Sequence, residues 1–196
     1  MPAPRPPLLE YASHREMFLA FEQLFLGGNE APAPHVLHSP CGHEIHIRNH
    51  HFFHLVGLED RDRPDVQLTI ANDLQNILAA DLGNKRYPHE KQRAVHLPVA
   101  ALTLQEPDEI WENPQLTSAK WVYFKEFDQK PYTHLVFLVG YSTEKSENKR
   151  EIVPYTFMPM RQSRGDKKRT GTPLYIRNTD ATRLEVASDT RGDCTR

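Results

Sequence analysis

Cysteine and long apolar runs are the scarcest features of this 196-residue chain. It has only two cysteines, Cys41 and Cys194, which are too few for a disulfide framework and favour a reducing compartment. No apolar run approaches the ~20 residues that a membrane-spanning helix needs. The first ten residues, MPAPRPPLLE, lack the basic-then-apolar layout of a signal peptide. These absences predict a soluble, cytoplasmic protein with no membrane partner.

The sequence also lacks the short motifs of several enzyme classes. It contains no GxxxxGK[ST], no GxGxxG and no GxSxG, so NTP-binding, dinucleotide-binding and α/β-hydrolase folds have no support. Its acids are scattered without the paired spacing that a Mg²⁺ nuclease would use. We therefore predict no cofactor and no metal site. The formal charge of -2 excludes a globally basic binder, so any contact with nucleic acid must use a local patch.

Length and composition predict one domain. Hydrophobic residues make up 38% of the chain and charged residues 26%, which is enough apolar material for a packed core. The 16 prolines predict many turns and unstructured ends. We expect a single domain over residues 8–177, with a disordered N-terminus (1–7) and a disordered tail (178–196).

The N-terminal half predicts helices and one hairpin. Apolar residues recur at three- and four-residue spacings in several segments, two of which are closed by glycine. Alternating apolar residues on both sides of the turn Ser39-Pro40-Cys41-Gly42 predict a β-hairpin. The segments predicted to be helical are 8–26, 65–82, 90–104 (kinked or begun by Pro98) and, as a short turn, 107–112.

The C-terminal third predicts an antiparallel meander. Three apolar, aromatic-rich runs at 119–127, 132–141 and 151–160 are separated by charged or proline-containing turns. The middle run is apolar on both faces, so we expect it to be the central strand, covered on both sides. A short strand is predicted at 174–176. Helices followed by a meander predict an α+β fold.

Histidine is concentrated near the hairpin. Seven of the 11 histidines lie within twenty residues: His35, His38, His43, His46, His50, His51 and His54. Their three-residue spacings beside Cys41 are compatible with metal binding, but a spacing of three on a strand places two imidazoles on opposite faces. The alternatives are a hairpin with solvated histidines, or one histidine that acts as an acid or base. His54 is the candidate for that role because its neighbours are apolar.

A basic segment follows the meander. Residues 161–177 carry six cations and one acid, a local charge of +5. The segment is either a solvated loop or an element that follows a phosphate backbone. In the second case the aromatic residues Tyr123, Tyr155 and Tyr175 could stack on bases.

Two short motifs resemble a known superfamily. The run NHHFFHLVGL (49–58) resembles the F-x-HL-x-G element of phage-encoded nucleases in the barnase/EndoU/colicin/RelE superfamily, and LTLQEPDEIW (102–111) is similar to the TL-x-x-PDEIW element of another branch. The run IVPYTF (152–157) stands where that branch has V-x-T-[AY]-[FY], with a proline that the pattern does not usually have. The resemblance spans about residues 35–160.

This resemblance implies a metal-independent endoribonuclease that acts as a toxin or effector. The ribose 2′-OH would attack the adjacent phosphate while side chains supply the base, the cation and the acid. His54 would be the acid or base, Arg93 the phosphate cation and Thr156 a hydroxyl that contacts the phosphate, all three converging on one cleft. The residues expected to bind substrate are Lys120, Tyr123, Lys125, Tyr155, Arg161, Arg164, Lys167, Lys168 and Arg169.

Two other function classes stay open at this point. One is a non-catalytic module of phage or mobile-element origin that binds nucleic acid or protein, and the other is a histidine-rich metal-binding domain. For the nuclease, RNA (tRNA among the candidates) is the expected partner, and an immunity or antitoxin protein is a candidate partner. The site of action would be the cytoplasm of the producing cell or of a target cell.

Overall fold

A seven-stranded sheet with helices packed on it makes up the described part of the chain. The computed structural model describes residues 4–28, 35–49, 51–56, 93–116, 119–128, 133–141 and 151–177. In chain order the elements are α1 (His14–Phe25), β1 (His35–His38), β2 (Glu44–Ile47), α2 (His51–Val56), α3 (Leu97–Gln105), β3 (Glu109–Glu112), β4 (Ala119–Glu126), β5 (His134–Tyr141), β6 (Ile152–Met160), α4 (Gln162–Asp166) and β7 (Thr172–Ile176).

The strand order of the sheet is β1-β2-β6-β5-β4-β3-β7. Strands β3 to β6 form an antiparallel meander. The β1–β2 hairpin extends one edge through a parallel pairing of β2 with β6, and β7 adds antiparallel to β3 at the other edge. The α+β class, the hairpin, the three-stranded meander and the short strand at 174–176 are confirmed.

Strand β5 occupies the centre of the sheet because its residues are apolar on both faces. Leu135, Phe137 and Val139 belong to the main hydrophobic core. Val136 belongs to a smaller cluster on the opposite face, against which Leu138 packs. The prediction of a central strand covered on both sides is confirmed.

The main core lies between the sheet and the helices α1, α2 and α3. Its aromatic residues are in contact: the ring centroids of Phe18 and Phe52 are 5.2 Å apart and those of Phe21 and Phe25 are 5.1 Å apart. The smaller cluster on the other face consists of Val122, Phe124, Val136 and Met160. The two faces of the sheet therefore differ, since the described long helices cover only one of them.

Helix boundaries correct two expectations. Helix α1 begins at His14 and not at residue 8, because Ser13 Oγ accepts the Glu16 N–H (3.2 Å) and Glu16 Oε2 accepts the Ala12 N–H (2.8 Å), a reciprocal cap that fixes the start. Helix α3 begins at Leu97, with Pro98 in its first turn, as proline's missing N–H allows.

The segment 107–112 is not a helical turn. Residues Glu109–Glu112 form β3, with strand partners on both sides; their pairing to β4 and β7 outweighs the local helix-start pattern of proline followed by acids. The basic stretch after β6 contains the short helix α4 where a loop was expected. The predicted helix 65–82 and the predicted tail 178–196 lie outside the described residues.

None of the described helices combines the length and the apolar character that crossing a membrane would require.

Candidate active site

The turn of the β1–β2 hairpin places His43 over the face of the sheet. Ser39 organises the turn: its N–H donates to the carbonyl of His43 (2.9 Å), and its Oγ accepts the His43 N–H (3.1 Å). Gly42 has φ +75°, a conformation that glycine adopts readily. Two strands separate β2 from β4 in the sheet, yet His43 contacts β4 residues, so the sheet curls and the turn closes over it.

His43 belongs to a mixed polar and aromatic group that we name the hairpin cluster. It consists of His43, Glu112, Lys120, Trp121, Tyr123 and Tyr141. His43 Nδ1 is 2.9 Å from Tyr123 Oη, and the His43 ring packs on Trp121 with centroids 4.4 Å apart. In the tautomer whose Nδ1–H donates to Tyr123 Oη, Nε2 is the ring nitrogen that can accept a proton from a substrate.

Lys120 reaches this cluster through a β-bulge. Ala119 pairs with Gly140 and Trp121 pairs with Val139, so Lys120 is the extra residue, and a bulge redirects the side chain next to it. Lys120 Nζ lies 3.0 Å from Glu112 Oε1 and 5.3 Å from the centroid of the Trp121 ring. The Lys120 side chain is 42% exposed. An accessible cation is thereby held beside a half-buried histidine.

Burial and charge set the protonation of the cluster. Burial lowers the pKa of His43; the nearby Glu112 carboxylate opposes that shift and the Lys120 ammonium adds to it. The hydrogen bond to Glu112 raises the pKa of Lys120, and burial raises the pKa of Tyr123. At neutral pH His43 is therefore an uncharged base, Lys120 a cation and Tyr123 a protonated phenol.

A second polar group, the Arg169 cluster, lies on the opposite face of the sheet. It consists of Glu109, Trp111, Glu126, His134, Asp166 and Arg169. Arg169 Nε is 2.8 Å from Glu109 Oε2, its second nitrogen pairs with Glu126 at 2.6 Å and its third with Asp166. The guanidinium also lies 5.1 Å from the centroid of the Phe124 ring.

Within this cluster Glu126 is held ionised. The hydrogen bond to His134 (3.2 Å) and, after it, the charge of Arg169 lower the pKa of Glu126 to about 2. Arg169 and His134 are 16% and 3% exposed at the side chain. A cation that already pairs with three carboxylates in such a site serves the fold, since removing one partner would leave an uncompensated charge.

The structure brings together three of the residues predicted to bind substrate. Lys120 and Tyr123 belong to the hairpin cluster. Tyr155, on β6, donates its hydroxyl to the carbonyl of Tyr141, another member of that cluster. Arg161, Arg164, Lys167 and Lys168 lie apart from them, in α4 and in the residues that flank it.

Three predicted substrate contacts do not fit their surroundings. Tyr123 is fully buried, so its ring has no face to offer a base. Lys125 is 1% exposed and its Nζ donates to the Glu106 carbonyl and pairs with Asp108 at 3.3 Å. Arg169 already forms ion pairs with Glu109 and Glu126, so its charge is neutralised within the protein. In each case the side chain turns toward the protein because an internal acceptor lies within reach.

The three predicted catalytic residues occupy separate elements. His54 lies in α2, and its side chain is outside the described part. Arg93 is half-buried shortly before α3. Thr156 lies on β6, and its buried Oγ1 has no hydrogen-bond partner within the described ranges. Helix α2 packs against β6, which places the elements of His54 and Thr156 side by side. The convergence of the three side chains stays a prediction.

Sequence reasoning missed His43, Glu112, Trp121 and Tyr141 as site residues. His43 was one histidine among seven, with nothing local to distinguish it. Its contact with Tyr123 joins residues 80 positions apart and depends on the curl of the sheet. The Lys120–Glu112 pair depends on the β3–β4 register. That register could not be predicted, because the sequence predicts a helical turn where β3 forms.

Metal ligands were a further question that the histidines raised. Across the ranges that the structure describes, no three or more His, Cys, Asp or Glu side chains group closely enough to hold a metal ion.

The fold and its clusters define an α+β domain that carries acid–base side chains beside an accessible cation. A family model, phage-Barnase-EndoU-ColicinE5/D-RelE like nuclease 2, matches residues 51–176. The chain belongs to this nuclease family, which confirms the resemblance seen in the short motifs. No curated protein and no solved structure matches the chain significantly. His43 and the β1–β2 hairpin lie N-terminal to the matched residues.

Proposed function

We propose that the chain is a metal-independent endoribonuclease and that the hairpin cluster is where it cleaves RNA. Family membership supports a nuclease. The observation that carries the choice of chemistry is the placement of half-buried His43 beside the exposed Lys120–Glu112 pair. A base and a permanent cation are the groups that attack by a ribose 2′-OH requires.

The proposed reaction is attack by the ribose 2′-OH on the adjacent phosphate. Neutral His43, in the tautomer whose Nδ1–H donates to Tyr123 Oη, takes the proton of the 2′-OH through Nε2 while the 2′-oxygen forms a bond to phosphorus. Lys120 lies next to the charge that develops on the phosphorane, and Glu112 holds Lys120 in place. The bond from phosphorus to the 5′-oxygen then breaks, leaving a 2′,3′-cyclic phosphate and a 5′-hydroxyl.

The leaving 5′-oxygen needs a proton from a second group. His54, predicted from the sequence as acid or base, is the candidate donor, and Arg93 and Thr156 are the predicted phosphate contacts. In this assignment His43 is the base and His54 is the acid. Variants of the two residues can be distinguished, because loss of the base and loss of the acid affect opposite limbs of the pH profile.

The test is incubation of the full chain with total tRNA in EDTA. We expect fragments that end in 2′,3′-cyclic phosphate and begin with 5′-hydroxyl, and we expect His43→Ala to form them much more slowly. Cleavage that requires added Mg²⁺ would overturn the mechanism. Retardation of tRNA without cleavage would overturn the enzymatic proposal and support a nucleic-acid-binding module.

A cytotoxic ribonuclease implies a protective partner. We extend the proposal to an immunity or antitoxin protein that covers the hairpin cluster, and to RNA in the cytoplasm of the producing cell or a target cell as the substrate. Co-expression of this immunity or antitoxin protein should restore growth to cells that make the active chain. It should have no effect on cells that make His43→Ala.

A further inference from the structure

We propose that the basic segment around α4 is an RNA exosite, a phosphate-binding surface separate from the hairpin cluster. We name as exosite residues Arg161, Arg164, Lys167 and Lys168. The choice of RNA as the ligand rests on the proposed function, whereas the surface itself is argued from charge, docking and position.

The exosite cations carry charge that the described part of the protein does not neutralise. Asp166 is the only acid between residues 161 and 170, and it pairs with Arg169. None of the exosite residues has a carboxylate within ion-pair distance in the described ranges. Arg161, Arg164 and Lys167 are exposed and Lys168 is half-buried. Within the described ranges these four positive charges therefore have no acidic partner, and three of them are exposed to solvent.

The segment is docked on the sheet, which distinguishes it from a freely moving loop. A Cβ added at Gly165 would lie 3.1 Å from the His134 ring, so the backbone of α4 rests directly on that side chain. Arg169 anchors the end of the segment through Glu109 and Glu126. Because this docking fixes the backbone, binding a polyanion costs less ordering entropy than it would on a mobile loop.

The exosite lies far from the hairpin cluster. Lys120 and Glu126 stand six residues apart on β4, which corresponds to about 20 Å along an extended strand. The exosite is at the Glu126 end and on the opposite face, since His134 alternates with the core residue Leu135. A dinucleotide cannot span this separation, whereas a longer strand that passes around the sheet edge can.

The chemistry of the segment favours RNA over a membrane surface. Residues 161–170 read RQSRGDKKRT and include no apolar side chain. Stable attachment to a bilayer requires buried apolar area in addition to positive charge. Isolated cations without such area suit the regularly spaced phosphates of a single strand.

The test is binding of the full chain to a 30-nucleotide RNA methylated at every 2′-OH, followed by fluorescence anisotropy between 50 and 200 mM salt. Each phosphate contact to a single strand contributes about 0.7 to the slope of log affinity against log salt. We expect R161Q/R164Q/K167Q/K168Q to flatten the slope by about 2.8. Over this range the affinity of the unsubstituted chain should then fall about fifty-fold more than that of the variant.

Matched variants make the result decisive. Arg164→Gln alone should flatten the slope by about 0.7, while Arg15→Gln, which removes the same charge from an exposed position on α1, should leave it unchanged. An unaltered slope in the fourfold variant, or an equal effect of Arg15→Gln, would overturn the exosite, as would binding to anionic vesicles but not to RNA. If circular dichroism shows that the fourfold variant is unfolded, the slopes of Arg164→Gln and Arg15→Gln decide whether the exosite exists.

The readout also separates this proposal from the proposed function. The methylated RNA has no free 2′-OH to attack, so the slope is independent of catalysis. If the exosite is real and the chain is a nuclease, the fourfold variant should cleave tRNA more slowly than the unsubstituted chain, and Arg15→Gln should cleave it at the unsubstituted rate. A changed slope with no cleavage of any RNA would keep the exosite and reject the nuclease mechanism.

Discussion

His43 is the residue on which the proposed chemistry depends most. His43→Ala removes the base and is expected to lower the rate of tRNA cleavage by a factor on the order of 10²–10⁴. The matched control is His38→Ala, which changes an exposed histidine of the same hairpin and should leave the rate unchanged. Equal activity of the two variants would reject His43 as the base, and an equal loss in both would indicate damage to the hairpin.

The pH profile reports the surroundings of His43. Because burial lowers the pKa of His43, the acid limb of kcat/KM should lie below the ordinary histidine value of about 6.5. Lys120→Gln removes a nearby positive charge, so the pKa of His43 should rise and the limb should move to higher pH. Glu112→Gln removes a nearby negative charge, so the limb should move to lower pH. Shifts in the same direction for both variants would contradict the charge argument.

Thr156 allows structure and function to be told apart. Its buried hydroxyl has no partner within the described ranges, and an unsatisfied buried polar group costs about 1–3 kcal/mol. Thr156→Val is therefore expected to leave the free energy of unfolding unchanged or to raise it, as measured by urea denaturation. If Thr156 contacts the phosphate, the same variant loses cleavage. A stable, fully active variant would remove Thr156 from the predicted catalytic set.

At the scale of elements, Gly171 controls how β7 joins β3. Its φ is +103°, and an added Cβ would lie 2.0 Å from the Glu112 carbonyl oxygen. Gly171→Ala should therefore lower the free energy of unfolding by about 3 kcal/mol or more. The loss combines backbone strain with a steric clash between the new Cβ and the Glu112 backbone. The substitution should also slow cleavage, because the displaced Glu112 holds Lys120.

The control for this prediction is Gly42→Ala in the hairpin turn. Gly42 has φ +75° but open space where a Cβ would stand, so only the backbone strain of about 1 kcal/mol applies. Thermal unfolding of the two variants should rank them in this order. The reverse ranking would show that the close approach to Glu112 relaxes without cost.

The meander was predictable from the sequence and β3 was not, for a physical reason. Strands β4, β5 and β6 are long apolar runs whose burial dominates their conformation. Strand β3 has four residues, two of them acidic, and its conformation comes from partners that are distant in sequence. Pro107 and the acids that follow it predict a helix start equally well, so the local pattern alone could not distinguish a helix from a strand.

At the scale of the whole molecule, the Arg169 cluster links stability to pH. The folded-state pKa of Glu126 is about 2, below the ordinary value near 4.5, so Glu126 stabilises the fold above pH 4.5. That contribution should be lost as pH falls from about 4.5 to about 2. We expect it to be about 1–2 kcal/mol, allowing for the partial exposure of Glu126.

Urea denaturation at a series of pH values measures this contribution. Glu126→Gln should lower the free energy of unfolding at pH 7 and should remove this part of the decline below pH 4.5. The exposed residue Glu44 supplies the control Glu44→Gln, which should retain the decline. A Glu126→Gln curve parallel to that of the unsubstituted chain throughout this range would contradict the assignment.

The candidate site was only partly predictable for the same reason that β3 was not. Lys120 and Tyr155 stand out locally as a cation and an aromatic residue on apolar strands. The partner that gives Lys120 a catalytic setting is His43, which reaches β4 through the curl of the sheet. The spacing of apolar residues predicts the strands. It does not predict the curl of the sheet, which results from how the twisted sheet packs on its helices.

The hairpin's long-range bonds also bear on synthesis of the chain. His43 meets Tyr123 across 80 residues, and Arg48 holds both oxygens of Glu151 across 103 residues. Closing such spans comes late in folding, since chain entropy is lost before any contact compensates for it. We infer that the hairpin docks only after β6 has left the ribosome. A chain ending at Tyr141 should then show rapid amide exchange at residues 39–43, whereas slow exchange there would refute the inference. Under the proposed function, a chain assembled in this order would complete its cleavage site only at the end of its own translation.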